Sequence, residues 1–583
     1  MAKSKKKRAK DQGQSTSTKE SAAAQQGNPH QTARPATGQP PPIPSDFYLR
    51  VEGINIGAII GDTGQLSVAR GASFLLREAI TDIAQRKPHK NLPLLPDNGQ
   101  TVSTGASIGE FILNNTDRQA ADAVAAHIAD YLRAQTKYYK HLSFGVCAEG
   151  YQPAAGEIEV RERALARIRF GQMQSPTCVV PPDNTTPGLG ACQWDGRRPA
   201  DAPEPIRRKG EKDILVSTSV WDRWRHGTER KQDFYRDEAA LTEGHPAYPM
   251  YYSNDLGDLA NWDRAGSLNG KVAVIYADGN RFSRIQNETC KRFESVTRFD
   301  ETVKSARRAY LSSLLRMMAD EPRFQIDAGH GVKRLRLETP LWGGDELKLV
   351  VPAWCGLDVL QHLFAAAKDW SYKGRPLTLA AGIVFCRAKT PIQRSMELAS
   401  QLAEGVKAGL KAQASGRNEE EKFRSQLKHR FDYMVLESID FPVENDLDAH
   451  LQGRYRSAAG WRRHLAPTAN WPTLRPRLAD LLERFPKGQA YTLARAAVAS
   501  DWGDKKDGDQ PYREARKRSG QVTDQGDATK LIAILNQIFG TVESPLIDAD
   551  TAFDPWAWIH LAELWDYLAP ECRESASTMG DQP

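Results

Sequence analysis

The sequence lacks any long apolar run, is poor in cysteine and carries little net charge. No uninterrupted hydrophobic stretch in its 583 residues approaches the roughly 18 to 20 needed to span a bilayer, so no transmembrane helix is expected. The start "MAKSKKKRAK" is basic, but no apolar segment follows it, so a secretory signal is not expected either. Seven cysteines (147, 178, 192, 290, 355, 386 and 572) are few and scattered. They fit reduced thiols in a cytoplasm better than a disulfide framework. The formal charge of +6 is small for this length and much of it sits in the first ten residues, so bulk charge does not indicate nucleic-acid binding.

What is present reads as a multidomain globular chain. Hydrophobic residues make up 40% and charged residues 26%, and at roughly 150 residues per domain the length implies about three or four domains. Residues 1–45, rich in Ser, Thr, Gln, Gly and Pro, are expected to be a disordered basic and proline-rich tail. Residues 46–154 then open with a strand over "DFYLRVEGINIGAII" and a helix over "GASFLLREAITDIAQR". A turn and apolar segment, "TGASIGEFILNN", a helix, "DRQAADAVAAHIADYLRAQ", and a strand, "HLSFGVCAEG", complete this part.

The same order recurs in residues 266–430. Strand "KVAVIYADGN" leads to a helix near "FDETVKSARRAYLSSLLRMM" and to the turn and strand "LWGGDELKLVVP". Helix "LDVLQHLFAAAKDW", strand "LTLAAGIVFC" and helix "PIQRSMELASQLAEGVKAGLK" follow. Glu52 to Glu110 is 58 positions and Asp278 to Glu346 is 68, while Glu110 to Gly145 is 35 and Glu346 to Gly382 is 36. This is read as an internal duplication. Strand, helix, strand, strand, helix, strand is the split βαβ order of a ferredoxin-like domain. The expected fold class is therefore α+β, with two ferredoxin-like domains, an intervening linker or insertion at 155–265, and a helical domain at 431–583. Segments such as "TLRPRLADLLERF", "AYTLARAAVAS" and "DATKLIAILNQIFG" support the last.

In "LETPLWGGDELKLVVP" two glycines and two carboxylates interrupt a pair of strands. In the split βαβ order the first strand's end faces the hairpin of the central strands, so Asp345 and Glu346 are expected to approach Asp278. Three carboxylates offer the hard oxygen ligands that magnesium or manganese takes. Two such ions can hold a nucleoside triphosphate and activate a 3′ hydroxyl for in-line attack. Gly343 and Gly344 permit a tight bend, and Gly279, directly after Asp278, permits close approach to a ligand. Each motif taken singly is also an ordinary turn composition; their placement in one unit favours a site.

"WGGDEL" with "YADGNRFSRI" upstream resembles the palm of the GGDEF and CRISPR polymerase-cyclase superfamily. The paired palms look like the large polymerase-cyclase subunit of type III CRISPR effector complexes. "DTGQLSVARGASFLLREA" is similar to the opening of its first palm and "LTLAAGIVFCRAKTPIQRSMELASQLAEGVK" to the close of its second. The resemblance spans about residues 48 to 411. It implies a prokaryotic cytoplasmic protein of antiviral defence, with a degenerate first palm at 46–154 and a second, at 266–430, that converts ATP to cyclic oligoadenylate. Carried over, Asp278, Asp345 and Glu346 are the catalytic metal ligands, while Gly279, Asn280, Gly343, Gly344 and Lys407 bind nucleotide, Lys407 through the triphosphate. Two Mg or Mn ions are the implied cofactors, ATP (or GTP) the substrate, and RNA and other CRISPR-type subunits the implied partners.

The departures matter. The family often has an acid where Asn280 stands, and Glu346 occupies a place where the CRISPR subunits usually have Asp; Glu at that place is what diguanylate cyclases use. "ASIGEF" in the first palm lacks the double glycine and preceding acid, so no catalysis is expected there. The family's N-terminal HD nuclease is not expected, since the only histidine before residue 89 is His30. A cysteine-rich zinc module often lies between the palms, but here only Cys178 and Cys192 fall in the interval, Asp195 stands where a C-x-x-C partner would, and His226 and His245 have no ligand spacing. Four ligands make a closed zinc site, so a relic module without zinc is expected. "KHRF" and "RYRSAAGWRRH" mix basic and aromatic residues, as RNA-binding surfaces and plain helical faces both do. The preferred reading is a nucleotide cyclase; the alternatives are an inactive nucleotide- or RNA-binding scaffold and a diguanylate cyclase.

Overall fold

The expected single strand over residues 46–60 stops early. Strand β1 (Asp46–Ile54) ends at Asn55, whose left-handed φ of 55° breaks the extended backbone, and Ile56–Ile60 continues as a short helix. In this computed structural model the described residues are 45–568, except 106, 135–137, 153–156, 175–189, 208–211, 439, 503–507, 523–524 and 540–555. The expected disordered tail up to residue 44, together with Cys178 and Cys572, lies outside them.

After β1 come α1 (Leu66–Ala84), β2 (Gly99–Thr104), β3 (Ile108–Leu113), α2 (Arg118–Arg133) and β4 (Ser143–Tyr151). Helix α2 starts where the sequence places a cap: the Asp117 carboxylate accepts from the Ala120 amide at 2.7 Å. The sheet order is β2-β3-β1-β4, antiparallel throughout. The interval expected to be a linker from residue 155 instead begins with a full helix, α3 (Glu157–Gln174), packed against β4 and β1. Its buried residues Val160, Ala164 and Ile168 recur every four positions, a stripe diluted in the sequence by four arginines. Helix α4 (Thr218–Glu229) follows and packs on α1.

The second sheet is built from β5 (Lys271–Gly279), then, after α5 (Phe282–Thr289) and α6 (Phe293–Asp320), from the hairpin β6 (Glu338–Gly343) and β7 (Glu346–Pro352). Helix α7 (Gly356–Ala367), β8 (Leu379–Arg387) and α8 (Ile392–Gln413) complete the unit, and β9 (Arg430–Val435) adds a fifth strand parallel to β8. The order is β6-β7-β5-β8-β9. The sheet thus includes a strand that the sequence reading assigned to the helical end.

The first four strands of each half share one order, so the repeat exists as architecture. Its residue alignment does not hold throughout. Glu110 pairs with Arg50, two rungs from Glu52, whereas the rung beyond Leu347 opposite Ala277 sets Glu346 by Asp278. Gly145 lies opposite Glu52, but Gly382 lies opposite Tyr276.

Both faces of β5 are covered, which explains why all nine of its residues are buried. Ala273, Ile275 and Ala277 join a core with α6, α7 and the C-terminal helices, while Val272, Val274 and Tyr276 face α8. Those last helices are α9 (Leu447–Tyr455), α10 (Trp471–Arg484), α11 (Lys487–Ala499), α12 (Gln510–Val522), α13 (Gln525–Phe539) and α14 (Trp556–Leu568). Three match the expected segments, and α14 lies against the sheet, with Phe385 and Tyr567 rings 4.2 Å apart. The described residues fall in one compact unit, and no helix among them is long and apolar enough to cross a membrane.

Candidate functional site

The alternation of strand side chains decides which groups meet. Asp278, two residues after Tyr276, points to the α8 side of the sheet, and the register places Glu346 beside it and Lys348 beside Tyr276. Between Gly343 and Glu346, which pair as the last rung of the hairpin, the chain turns in two residues, Gly344 and Asp345. Gly344 takes φ +50°, the left-handed value that two-residue hairpin turns need at their first position. Gly279 is required for proximity: a Cβ there would lie 2.5 Å from the Phe282 ring and 2.8 Å from Asp345 Cβ. Its absence lets the hairpin tip close down on the end of β5.

Asp278, Asp345 and Glu346 therefore line one cleft of about 800 Å³, with Gly279, Asn280 and Lys407 in its wall. Gly343 sits in the ladder behind the turn. The sequence reading missed several further lining groups: Arg281 and Arg284 at the start of α5, and Lys411, one turn beyond Lys407 on α8. The 407/411 spacing was legible as one helix face; the arginines were not, because nothing local says that α5 turns back over the strand end. Acidic floor and basic rim together suit a ligand that carries both metal and phosphate.

The Tyr276 hydroxyl lies 3.2 Å from both Asp278 Oδ2 and Glu346 Oε1, so one phenol bridges the two acids. The Lys407 ammonium donates to the same Oδ2 and lies 3.3 Å from Glu404 Oε1. Burial and the charge on Asp278 push the Asp345 carboxyl up to about 6, and the same two causes raise Glu346. Burial acts to lower Lys407, but the carboxylates of Asp278 and Glu404 hold it above the usual lysine value. Burial, then the charges of Asp278 and Glu346, raise Tyr276. Behind the turn, the buried Arg307 donates to the Gly344 carbonyl at 2.9 Å and lies over the Trp342 ring.

The donor set fits a hard divalent cation in kind. Its groups are carboxylate oxygens, two of which, on Asp345 and Glu346, have their pKa raised by burial and by the charge on Asp278, and an ammonium already stands on Asp278 where a cation would. The groups are not gathered in advance, however: among the described residues no three His, Cys, Asp or Glu side chains are clustered as a ready metal site.

Asn280 has a role of its own. Its amide nitrogen donates to Thr378 Oγ1 at 3.1 Å and to the Lys428 carbonyl at 2.9 Å, in a buried position. A carboxylate there would have no proton for either oxygen. Asn280→Asp is expected to destabilise the fold by about 1–3 kcal/mol in urea unfolding, without tightening metal binding; a variant as stable as the parent would contradict this role.

In the first half the matching acids are closed off. Glu52 is held by Arg50 Nε at 3.0 Å and by Arg169 of α3 at 2.6 Å. Glu110 receives Arg161 Nε at 2.8 Å, the Tyr48 hydroxyl at 2.5 Å and Ser103 Oγ at 2.7 Å. Burial alone would raise Glu110, but the Arg161 and Arg50 guanidiniums hold it below the usual carboxylate range. Arg169 on Glu52 repeats the Lys407 on Asp278 arrangement, a helix returning a cation to the end of the first strand.

In the interval between the sheets, Asp195 occupies the cysteine-like position of a small knuckle. Its Oδ1 accepts from the Arg197 and Arg198 amides at 2.8 and 3.0 Å, and Arg198 also reaches Oδ2 at 2.9 Å. Cys192 is buried nearby, His226 pairs with Glu78, and His245 faces the Ser312 carbonyl. In the basic and aromatic segments, which RNA-binding surfaces and plain helical faces both resemble, some side chains are held by acids or buried, and Lys428, Arg454 and Arg456 stay exposed. Arg462 pairs with Asp432, Arg454 pairs with Glu563, and Tyr455 is buried.

No protein-family model and no curated relative matches the sequence. Solved structures do. Csm1 in T. onnurineus is 13% identical with a TM-score of 0.45, the match covering 90% of this chain and 69% of that one. A Csm1–Csm4 cassette in complex with one ATP is 13% identical at 0.44, covering 90% and 70%. A Csm1–Csm4 cassette in complex with cA4 is 12% identical at 0.44, covering 90% and 69%. Csm1 and Csm1–Csm4 cassettes are thus structural neighbours of the chain.

Proposed function

We propose that the chain is a palm-type nucleotidyltransferase of the type III CRISPR polymerase-cyclase kind, which converts ATP to linear or cyclic oligoadenylate with the help of two Mg or Mn ions. Each half is read as a ferredoxin-like palm, on the shared strand order of the two sheets. The second holds the site and the first has lost it. The observation that carries the reading is the convergence of Asp278, Asp345 and Glu346 on one cleft rimmed by Arg281, Arg284, Lys407 and Lys411.

Asp278, Asp345 and Glu346 would hold the ions. When bound, the ions would offset the triphosphate charge and make the attacking 3′ hydroxyl more acidic. The rim cations would orient the phosphates so that the pyrophosphate leaves in line with attack on the α-phosphate. Gly279 lets the hairpin tip that carries Asp345 close on the end of β5, and Arg307 fixes the turn. Other CRISPR-type subunits are the proposed protein partners.

Two observations favour a second reading, a nucleotide-binding scaffold without turnover: the fixed amide of Asn280 and the absence of a pre-gathered metal cluster among the described residues. Labelled ATP or GTP incubated with manganese separates the readings. The first predicts an ATP-derived product that disappears in Asp345→Ala; ATP binding without product supports the scaffold. Consumption of GTP instead identifies a diguanylate cyclase.

A further inference from the structure

We propose that Lys407 is an internal counter-ion that must exchange with the metal, so that cation loading and release of this lysine from Asp278 are one event. The inference rests on the proposed nucleotidyltransferase reading and adds a controlling element to it.

Asp278 Oδ2 is engaged twice, by the Lys407 ammonium and by the Tyr276 hydroxyl. An oxygen that takes both donors has little capacity left for a cation. The nearest like charges, on Asp345 and Glu346, face the same space, and among the rim cations the Lys407 ammonium is the one paired with Asp278. Lys407 is also built to leave. Its side chain is 27% exposed, its stem is long and flexible, and Glu404 one turn earlier on α8 gives it an alternative partner at the cleft wall. The first half shows the opposite design. Arg169 takes Glu52 Oε1 as Lys407 takes Asp278 Oδ2, but Arg50 takes Glu52 Oε2 as well, so both oxygens of that carboxylate carry a guanidinium. A single lysine in the second half, on one oxygen of Asp278, leaves the acid exchangeable.

The consequence is a sign that a merely phosphate-binding lysine would not give. Without nucleotide, removing the Lys407 charge should tighten metal binding, because the cation no longer competes with an ammonium at the same oxygen. With triphosphate present, the same change should weaken nucleotide binding, because the freed ammonium is then lost as a phosphate partner.

The test is Mn²⁺ binding to the full chain without nucleotide, read from loss of the free-ion electron paramagnetic resonance signal. Wild type, Lys407→Met, Lys407→Gln and Asp278→Asn are compared, with thermal melts to establish folding. The expected result is Mn²⁺ affinity higher by roughly tenfold or more in both lysine variants, given unit charges a few ångströms apart, and loss of that binding in Asp278→Asn. Equal or weaker binding in Lys407→Met and Lys407→Gln, with an Asp278-dependent site still present, overturns the exchange while leaving the catalytic reading intact. If no variant shows Asp278-dependent Mn²⁺ binding, the catalytic reading falls and the exchange falls with it.

Discussion

Asp278→Asn should lower nucleotide transfer by on the order of a hundred- to a thousandfold and leave the protein at least as stable as before. The two halves of that result have one cause. Asp278 is the charge that raises both Asp345 and Glu346, so it is an electrostatic burden on the folded state and a ligand for the chemistry. Removing its charge relieves repulsion, frees Lys407, and replaces an anionic oxygen ligand of the ions by a neutral amide. A residue retained against stability is the signature of a functional group rather than of a structural turn. Rates with labelled ATP and manganese, set beside melting curves, check both halves together; a large loss of stability would return the motif to the status of a hairpin turn.

The same cluster gives a pH dependence whose sign is fixed. Asp345 has its pKa raised to about 6 in the fold, above its ordinary value of 3.8. The folded state therefore holds this proton more firmly than the unfolded state. The stabilisation from that proton is complete below the unfolded value and is lost as the pH climbs through about 6. Metal binding runs the other way, since only the ionised carboxylate ligates, so Mn²⁺ affinity should rise across the window in which this stabilisation falls. Asp278→Asn should shift the window to lower pH.

The second large effect is structural. Glu338→Ala should lower the free energy of unfolding by about 3–5 kcal/mol, the cost of leaving buried charges without their counter-ion. Glu338 stands on β6 and receives Arg70 from α1 and, at 2.7 Å, Lys231 from the segment between the sheets. Burial would raise its pKa, but these two cations hold it at about 2, while burial brings Lys231 down to about 8. Three stretches of chain meet at one carboxylate on the strand that leads into Gly343 and Gly344. The loss should be fullest above the unfolded carboxylate range and shrink as the pH falls through about 2. Urea unfolding at neutral pH checks it; a change below about 1 kcal/mol would mean that the cations find other partners.

The contrast between Asp278 and Glu338 also marks what the sequence can tell. Strands β5, β7 and β8 and helix α8 were legible because apolar runs and helical stripes are local, and Asp278, Asp345 and Glu346 were legible because they sit at the ends of those runs. Asn280 was visible only as a missing acid; its bonds to Thr378 and Lys428 join residues 98 and 148 positions away. Glu338 looked like an ordinary polar residue in an alternating strand, because its partner Arg70 is 268 positions distant. Helix α3 was hidden by its arginines, two of which, Arg161 and Arg169, turn out to seal the first half's acids. Tyr276 was legible in principle, two residues before Asp278 on the same face.

Crystals soaked with Mn²⁺ and a non-hydrolysable ATP analogue, measured at the manganese absorption edge, test the central claim most directly. Two anomalous peaks are predicted, at a little over about 2 Å from oxygens of Asp278, Asp345 and Glu346, with Lys407 moved from Asp278 to the phosphates. A cleft without anomalous signal, in which Lys407 still rests on Asp278 beside bound nucleotide, would contradict it.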